Sequence, residues 1–401
     1  MKIIVDDKIP YIKGQIEQLG SEVLYLSGAA ISARDVKDAD VLVVRTRTHC
    51  NRELLEGSRV RFIVTATIGF DHLDTVYLHE AGIEWTNCPG CNATSVGQYV
   101  RNTLFLLERE KGLCLREATL GIVGVGHVGT AVLEACRPYV GRVLLNDPPK
   151  VKRLAGELSS HRTIESSSHR TIESSSHRAL ESSNHQECYC DLSELQRECD
   201  VITFHTPLVK DGQWPTFHLA DEAFFRALPR KPFLVNAARG EVVDNEALER
   251  ALDEGCVRQA VIDTWEGEPR LSRTLLNKVY IGTPHVAGYS ADGKANATRM
   301  SLQAVASWMG RHGLLPAPYD EEHLPTFLVE PPAVYDNEVG SGMDGNGIDG
   351  RGGGATDYDA LVSKALRLYD PRTDSVRLKE APEGFEKQRG NYPLRRECFA
   401  Q

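Results

Sequence analysis

The chain has 401 residues, of which 41% are hydrophobic and 25% charged, and its formal net charge is −10 at pH 7. This length exceeds what one hydrophobic core supports, so we expect two or three domains of ordinary globular composition. The acidic balance argues against nucleic-acid binding. No window approaches the roughly 18 apolar residues of a membrane span, and the N-terminus does not resemble a signal peptide. Ten cysteines without regular spacing predict reduced thiols in a cytoplasm.

The first ninety or so residues alternate short apolar runs with polar or helical stretches. We predict strands at Lys2–Asp6, Val23–Leu26, Val41–Val44 and Phe62–Thr65. This alternation is typical of a parallel sheet with helices on both faces. Ligands of such sheets bind where the strands end, so the polar residues in 44–47 and 66–72 are candidates for ligand contacts. An amphipathic helix over Asn92–Lys111 then leads into the next part of the chain.

The stretch Leu120–Asp147 has the order of a dinucleotide-binding turn. A buried strand is followed by glycines that allow a tight turn, close approach of a pyrophosphate and close helix packing, at Gly124, Gly126 and Gly129. The helix then presents the N–H groups of residues such as His127 and Val128 to phosphate oxygens. Asp147 follows a second strand, where a carboxylate accepts hydrogen bonds from a ribose diol and disfavours a 2′-phosphate. The pattern predicts NAD, and a plain strand–turn–helix crossover is the alternative.

Residues 159–185 form a low-complexity insert with an eight-residue period that repeats His161, His169, His177 and His185. Metal binding is one interpretation of a histidine tract. On a helix, however, this spacing places successive histidines about 80° apart, which does not converge on one ion. We therefore predict a repeat expansion on an exposed connection, and no metal site anywhere in the chain.

A second run of strands follows the insert and brings functional side chains to strand exits. The predicted strands are Asp200–His205, Lys231–Asn236, Gln259–Asp263 and Val279–Thr283. Beyond Gly310 the composition changes, with a proline-rich stretch at 316–332, a glycine-rich stretch at 340–354 and helical periodicity at 358–368. These changes predict a small, separate C-terminal module.

Arg239, Glu268 and His285 follow three successive strands and together suit the oxidation of a 2-hydroxy carboxylate by a nicotinamide. A histidine can accept the alcohol proton while hydride leaves the same carbon. A carboxylate orients the imidazole and stabilises its charged form, and an arginine grips the substrate carboxylate. Taken singly, each residue also has an ordinary explanation as a surface ion-pair partner, a turn residue or a loop histidine.

The segments around these residues are more specific than the residues alone. NAARGEVVD at 236–244, DTWEGEP at 263–269 and PHVAGYS at 284–290 resemble the NAD-dependent D-2-hydroxyacid dehydrogenases. GIVGVGHVG and FHTPL occur in the expected order before them. The resemblance implies that Arg239, Glu268 and His285 are catalytic. It also implies cofactor contacts, which we assign to Thr206, Asp263 and Gly288 in addition to the residues of the glycine turn and Asp147.

The beginning of the chain and its tail, with YDPRTDSVRL and YPLRRE, resemble a branch of this family that carries an extra C-terminal domain. For that branch the resemblance implies a small phosphorylated 2-hydroxy acid as substrate, bound by Thr46, Thr67 and Tyr289. Arg45 and Arg47 are our own candidates for the phosphate, because an acidic chain needs local positive charge there. A dehydrogenase for another acid, such as phosphoglycerate, and an NAD-sensing regulator on the same fold remain as alternatives.

The predicted architecture is α/β, with two doubly wound parallel-sheet lobes, Rossmann-like or flavodoxin-like, and a small C-terminal α+β dimerisation domain. Residues 1–93 and 287–312 form the predicted substrate lobe, and residues 94–286 form the NAD-binding domain, interrupted by the insert. Residues 313–401 form the dimerisation domain, so we expect a cytoplasmic homodimer with no nucleic-acid or membrane partner.

Overall fold

The computed structural model describes residues 1–20, 22–161, 188–331 and 355–397. Most of the histidine-rich insert and the glycine-rich stretch 340–354 therefore lie outside the described residues. The chain divides into two compact units. The substrate unit contains residues 1–95, 289–345 and 394–397, and the cofactor unit contains residues 96–288 and 346–393. The chain passes between them at Ser95–Val96 and Gly288–Tyr289, within two residues of the predicted boundaries.

The substrate unit is built on a five-stranded parallel sheet in the order β2-β1-β3-β4-β5. Its strands are β1 (Lys2–Asp6), β2 (Glu22–Leu26), β3 (Val41–Val44), β4 (Phe62–Thr65) and β5 (Glu84–Thr86). The strand order reverses between β1 and β3, so this unit has the flavodoxin-like order. β3 and β4 are buried over their whole length, which explains their continuous apolar runs.

The helices of the substrate unit are short, except for the last one. They are α1 (Ala33–Val36), α2 (Arg52–Leu55), α3 (Thr75–Glu80) and α11 (Ala291–Arg311). α11 begins at the N-cap Ser290, whose hydroxyl accepts a hydrogen bond from the Gly293 N–H. Its far end packs on the sheet, where the Trp308 ring stacks on Phe62 at a centroid distance of 5.4 Å.

The cofactor unit contains a six-stranded parallel sheet in the order β11-β10-β9-β8-β6-β7. Its strands are β6 (Thr119–Val123), β7 (Arg142–Asn146), β8 (Val201–Phe204), β9 (Phe233–Asn236), β10 (Gln259–Ile262) and β11 (Ile281–Gly282). Tyr189 makes a parallel bridge with Leu145 on the outer side of β7, where the Rossmann order has its third strand. The order reverses between β6 and β8, which is the topological switch point.

Helices cover both faces of this sheet. They are α4 (Ala93–Lys111), which begins in the substrate unit, α5 (His127–Cys136), α6 (Pro148–His161), α7 (Leu192–Glu198), α8 (Glu222–Arg226), α9 (Asn245–Asp253) and α10 (Arg273–Lys278). Their apolar sides and the sheet form two buried clusters, one on each face. The two parallel α/β sheets confirm the predicted fold class.

The C-terminal segment differs from the separate α+β module that the sequence predicted. Its described residues form three helices, α12 (Ala355–Leu368), α13 (Pro371–Glu380) and α14 (Phe385–Gly390), and all three belong to the cofactor unit. Asn102 of α4 donates to the carbonyl oxygen of Tyr369 at the end of α12. Phe385 of α14 is fully buried in one of the clusters of the cofactor sheet. The last described residues, 394–397, belong to the substrate unit.

Candidate active site

The loop after β6 requires glycine at two positions for steric reasons and leaves open space at a third. Gly124 has a φ of +88°, and a Cβ there would lie 2.8 Å from the backbone of His205 and Thr206. A Cβ on Gly129 would lie 1.9 Å from the carbonyl oxygen of Gly124. A Cβ on Gly126 would meet nothing within 4 Å. The loop therefore packs tightly against its own unit but keeps free space at the start of α5.

Two buried polar atoms beside this loop have no hydrogen-bond partner within the described residues, Thr206 Oγ1 and His205 Nδ1. Such an atom costs about 1–3 kcal/mol unless a ligand or water pairs with it. Gly126 caps α5 without a side-chain hydrogen bond, so the first N–H groups of that helix can face an anion. These features lie at the switch point of the sheet, and they fit the pyrophosphate and adjoining parts of a dinucleotide.

Asp147 closes the glycine loop. Its Oδ2 accepts a hydrogen bond from the Val125 N–H at 2.8 Å, and its Oδ1 accepts one from the Lys150 N–H at 2.9 Å, inside the first turn of α6. The ammonium of Lys150 in turn donates to the carbonyl oxygen of Val125. Carboxylate oxygens have two lone pairs each, so this arrangement leaves acceptor capacity for a ribose. The ribose contact of Asp147 stays a prediction.

His285 and Glu268 form a hydrogen-bonded pair. Nδ1 of His285 lies 2.9 Å from Oε2 of Glu268, and the other carboxylate oxygen accepts a hydrogen bond from the Trp265 N–H at 2.9 Å. The side chains are 27% and 19% exposed. Because the carboxylate accepts from Nδ1, the imidazole keeps Nε2 for another partner. Burial raises the pKa of Glu268, but hydrogen bonding and the charge of His285 outweigh it, so this pKa lies below its usual value.

Asp263 fixes the loop that carries His285. Its carboxylate accepts hydrogen bonds from the hydroxyl of Thr283 at 2.6 Å and from the N–H groups of Val286 and Ala287 at 2.7 and 3.0 Å. Its carbonyl oxygen accepts the N–H of His285, which holds a φ of +57°. Burial raises the pKa of Asp263 against these hydrogen bonds. The predicted cofactor contact of Asp263 remains untested, and its role as a tether was not predicted.

Arg239 lies in a turn that packs against the turn of Glu268. The guanidinium donates to the carbonyl oxygen of Ala238 at 2.8 Å. A Cβ on the next residue, Gly240, would lie 2.0 Å from the carbonyl oxygen of Trp265, so this position requires glycine. The buried Asn236 holds the turn by donating to the carbonyl oxygen of Arg239 at 3.0 Å. The cofactor unit thus presents all three predicted catalytic residues from loops at the carboxyl ends of adjacent strands.

The substrate unit has its own candidate residues at its switch point. Nε of Arg45, after β3, lies 3.2 Å from Oδ2 of Asp6, the buried last residue of β1. A Cβ on Gly28 would lie 2.4 Å from the same oxygen, so glycine is required beside this pair. Thr46 and Arg47 are exposed. The sequence did not identify Asp6 as the partner of Arg45, because the two are 39 positions apart.

Thr67 and Tyr289 are already engaged by their neighbours. The hydroxyl of Thr67 donates to the carbonyl oxygen of Gly69 at 2.8 Å and lies 2.7 Å from that of Thr65. The carbonyl oxygen of Tyr289, the first residue after Gly288, accepts a hydrogen bond from Arg395 at 2.7 Å. The substrate contacts of Thr67 and Tyr289, and the cofactor contact of Gly288, stay predictions.

Comparison with known proteins agrees with this site. The family model for the NAD-binding domain of D-isomer specific 2-hydroxyacid dehydrogenases matches residues 165–287. The chain is 44% identical over 398 residues to a protein of Bacteroides thetaiotaomicron, covering 99% of this chain and 97% of that protein. It is 39% identical over 401 residues to one of Edwardsiella ictaluri, covering 99% and 93%. The chain therefore belongs to the D-isomer specific 2-hydroxyacid dehydrogenase family and is an NAD-dependent oxidoreductase. Both relatives are named erythronate-4-phosphate dehydrogenase.

Solved structures support the fold. D-2-hydroxyisocaproate dehydrogenase matches with a TM-score of 0.61 at 20% identity, covering 78% of this chain and 98% of that one. D-lactate dehydrogenase from Aquifex aeolicus, complexed with NAD and lactic acid, matches with a TM-score of 0.57 at 22% identity, covering 83% and 100%. Within the described residues, no helix combines the length and apolar character that crossing a membrane requires.

Proposed function

We propose that this chain oxidises the 2-hydroxyl of 4-phospho-D-erythronate with NAD, giving (R)-3-hydroxy-2-oxo-4-phosphooxybutanoate in the synthesis of pyridoxal 5′-phosphate. The hydrogen-bonded pair of His285 and Glu268, 2.9 Å apart, is the observation that carries the chemistry. The choice of acid is supported by relatives of 36–44% identity, all named erythronate-4-phosphate dehydrogenase.

The residues divide the chemistry between them. Bound NAD supplies the hydride acceptor. Nε2 of His285 takes the proton of the 2-hydroxyl, and the carboxylate of Glu268 holds Nδ1–H and stabilises the imidazolium that results. The planar guanidinium of Arg239 pairs with the substrate carboxylate and polarises the oxygen that becomes the carbonyl.

The same proposal assigns the substrate contacts. Thr46, Thr67 and Tyr289 bind the acid, and Arg45 and Arg47 hold its phosphate. An arginine has five N–H donors, and the contact between Arg45 and Asp6 uses the one on Nε. The guanidinium therefore keeps donors for a phosphate while Asp6 fixes its position.

The test is NADH formation by the purified chain with 4-phospho-D-erythronate and, in parallel, with 3-phosphoglycerate. We expect kcat/KM to favour 4-phospho-D-erythronate, and His285→Asn and Arg239→Ala to lower it by about 10²-fold or more. Asparagine tolerates a positive φ, so His285→Asn removes the base with little backbone strain. A preference for phosphoglycerate would select the other substrate. NADH binding with turnover unchanged in His285→Asn would favour the NAD-sensing regulator.

We further propose a cytoplasmic homodimer. The nine cysteines within the described residues are all free thiols, which suits a reducing compartment. Cell fractionation that finds the protein outside the cytoplasm contradicts this location. Val376 of α13 and Leu394 are large apolar side chains exposed in the C-terminal segment, and they support association through it.

A further inference from the structure

The last described residues, Leu394–Glu397, bind both places where the chain passes from one unit to the other. These residues belong to the substrate unit, as do Ser95, which ends the first passage, and Tyr289, which begins again after the second. We name residues 394–397 the tail strap. Its contacts to residues 94–95 and 289–292 all lie inside the substrate unit.

Arg395 is the centre of the tail strap. It is only 8% exposed, and its guanidinium donates to the carbonyl oxygens of Tyr289 at 2.7 Å and Ser95 at 3.3 Å. Its own carbonyl oxygen accepts the N–H of Ala291 at 2.8 Å. A buried guanidinium bound to backbone carbonyls fixes the path of two segments at once, because its donors form a rigid planar fork.

Glu397 joins the same two segments through hydroxyl groups. Its Oε1 accepts hydrogen bonds from Ser95 and Ser290, each at 2.6 Å, and its Oε2 accepts one from Thr94. Ser95 and Ser290 are fully buried, and their hydroxyl oxygens lie 2.7 Å apart. The backbone N–H of Glu397 donates to Asp292 at 2.7 Å. A carboxylate with this many donors makes a fully satisfied network, which rigidifies its surroundings.

We propose that Arg395 and Glu397 are positioning residues that hold Tyr289 for the phosphorylated acid. The inference rests on the proposed function, in which Tyr289 binds substrate. His285 lies four residues before Tyr289, so the tail strap fixes the chain just beyond the catalytic base. The side chains of the tail strap act through the backbone of Tyr289, and we assign them no contact with the substrate or with NAD.

The test compares Arg395→Lys and Glu397→Gln with the wild type and with Arg396→Ala. Arg396 is the matched control, because it neighbours Arg395 and pairs with the carboxylate of Asp292. We expect Arg395→Lys and Glu397→Gln to raise the KM for 4-phospho-D-erythronate about tenfold or more, because small misplacements of binding groups are costly. The dissociation constant of NADH should stay within about twofold of wild type, as should all constants of Arg396→Ala.

Hydrogen–deuterium exchange of amides 287–291 gives a readout that does not depend on substrate. Faster exchange at these amides in Arg395→Lys than in Arg396→Ala supports the tail strap even if the wild type proves inactive on 4-phospho-D-erythronate, which would defeat only the proposed function. Unchanged exchange together with an unchanged KM overturns the inference. Parallel losses of NADH affinity and thermal stability in both variants also overturn it, because they indicate a general loss of folding.

Discussion

His205 shows how one buried side chain makes the stability of this protein depend on pH. Its Nε2 lies 2.8 Å from the hydroxyl of Thr203, and burial lowers its pKa to about 3. In an unfolded chain a histidine titrates near pH 6.5. Between these values the unfolded state binds a proton that the folded state does not. Stability is therefore constant above pH 6.5 and falls as the pH falls toward 3.

We predict that the cofactor-free protein loses about 2 kcal/mol of unfolding free energy between pH 7 and pH 5 through His205 alone. Urea unfolding at several pH values, followed by signals of the cofactor unit, measures the loss. His205→Gln should flatten this dependence by about that amount. The matched control is His49→Gln, an exposed side chain, which should leave the dependence as in wild type. Equal slopes for wild type and His205→Gln contradict the prediction.

Among the elements, the junction of β6 and α5 shows why three glycines of one motif are not equivalent. Gly129 is packed against the carbonyl oxygen of Gly124, and backbone cannot move aside as a side chain can. Gly126 has an ordinary φ of −80° and faces open space. The first position is needed by the fold, and the second is needed only by a ligand that approaches the backbone.

Two alanine substitutions separate these requirements. Gly129→Ala should lower the unfolding free energy by about 3 kcal/mol or more, because a well-packed site cannot accept the extra methyl group. Gly126→Ala should keep stability within about 1 kcal/mol of wild type, since its methyl group meets no atom. The same variant should weaken NADH binding about tenfold or more. Urea unfolding and fluorescence titration with NADH measure the two effects. Wild-type NADH affinity in Gly126→Ala would show that the pyrophosphate does not approach this position.

The strands and the catalytic residues could be predicted because their signals are local. The strand at 233–236 is a run of apolar residues, and Arg239 follows it within a recognisable turn. The supporting contacts could not be predicted, because they join distant residues of ordinary type. Arg395 and Tyr289 are 106 positions apart, and nothing near either residue indicates the other. The carboxylate of Asp263 looked like a ligand contact because its hydrogen bonds to 286 and 287 depend on how the loop folds back.

At the scale of the whole molecule, the C-terminal segment is divided between the two units. The change of composition after Gly310 predicted an independent module, but a low-complexity stretch shows only where packing is interrupted. Ser375 accepts a hydrogen bond from the buried N–H of Gly282 at 3.0 Å, and Lys379 donates to the carbonyl oxygen of Val279 at 2.6 Å. The helices that were assigned to dimerisation therefore also complete the edge of the cofactor sheet at β11.

A dimer remains compatible with this packing, because α13 keeps an outward apolar side chain. Val376 is 53% exposed. We predict that light scattering gives twice the mass of one chain, and that Val376→Asp raises the dissociation constant of the dimer about tenfold or more, since a buried unpaired charge is costly. Val76→Asp, on an equally exposed apolar residue of α3, is the control and should leave the mass unchanged. A wild-type mass of one chain contradicts the homodimer.

The unpaired hydroxyl of Thr206 has a consequence for the economy of the folded state. A buried donor without an acceptor is a defect that the protein tolerates only because a ligand corrects it. A ligand present at about 100 times its dissociation constant adds about 2.7 kcal/mol to stability by mass action. The dinucleotide pool of the cell thus acts as a structural component of this protein, and its depletion would shorten the protein's lifetime as well as stop its turnover.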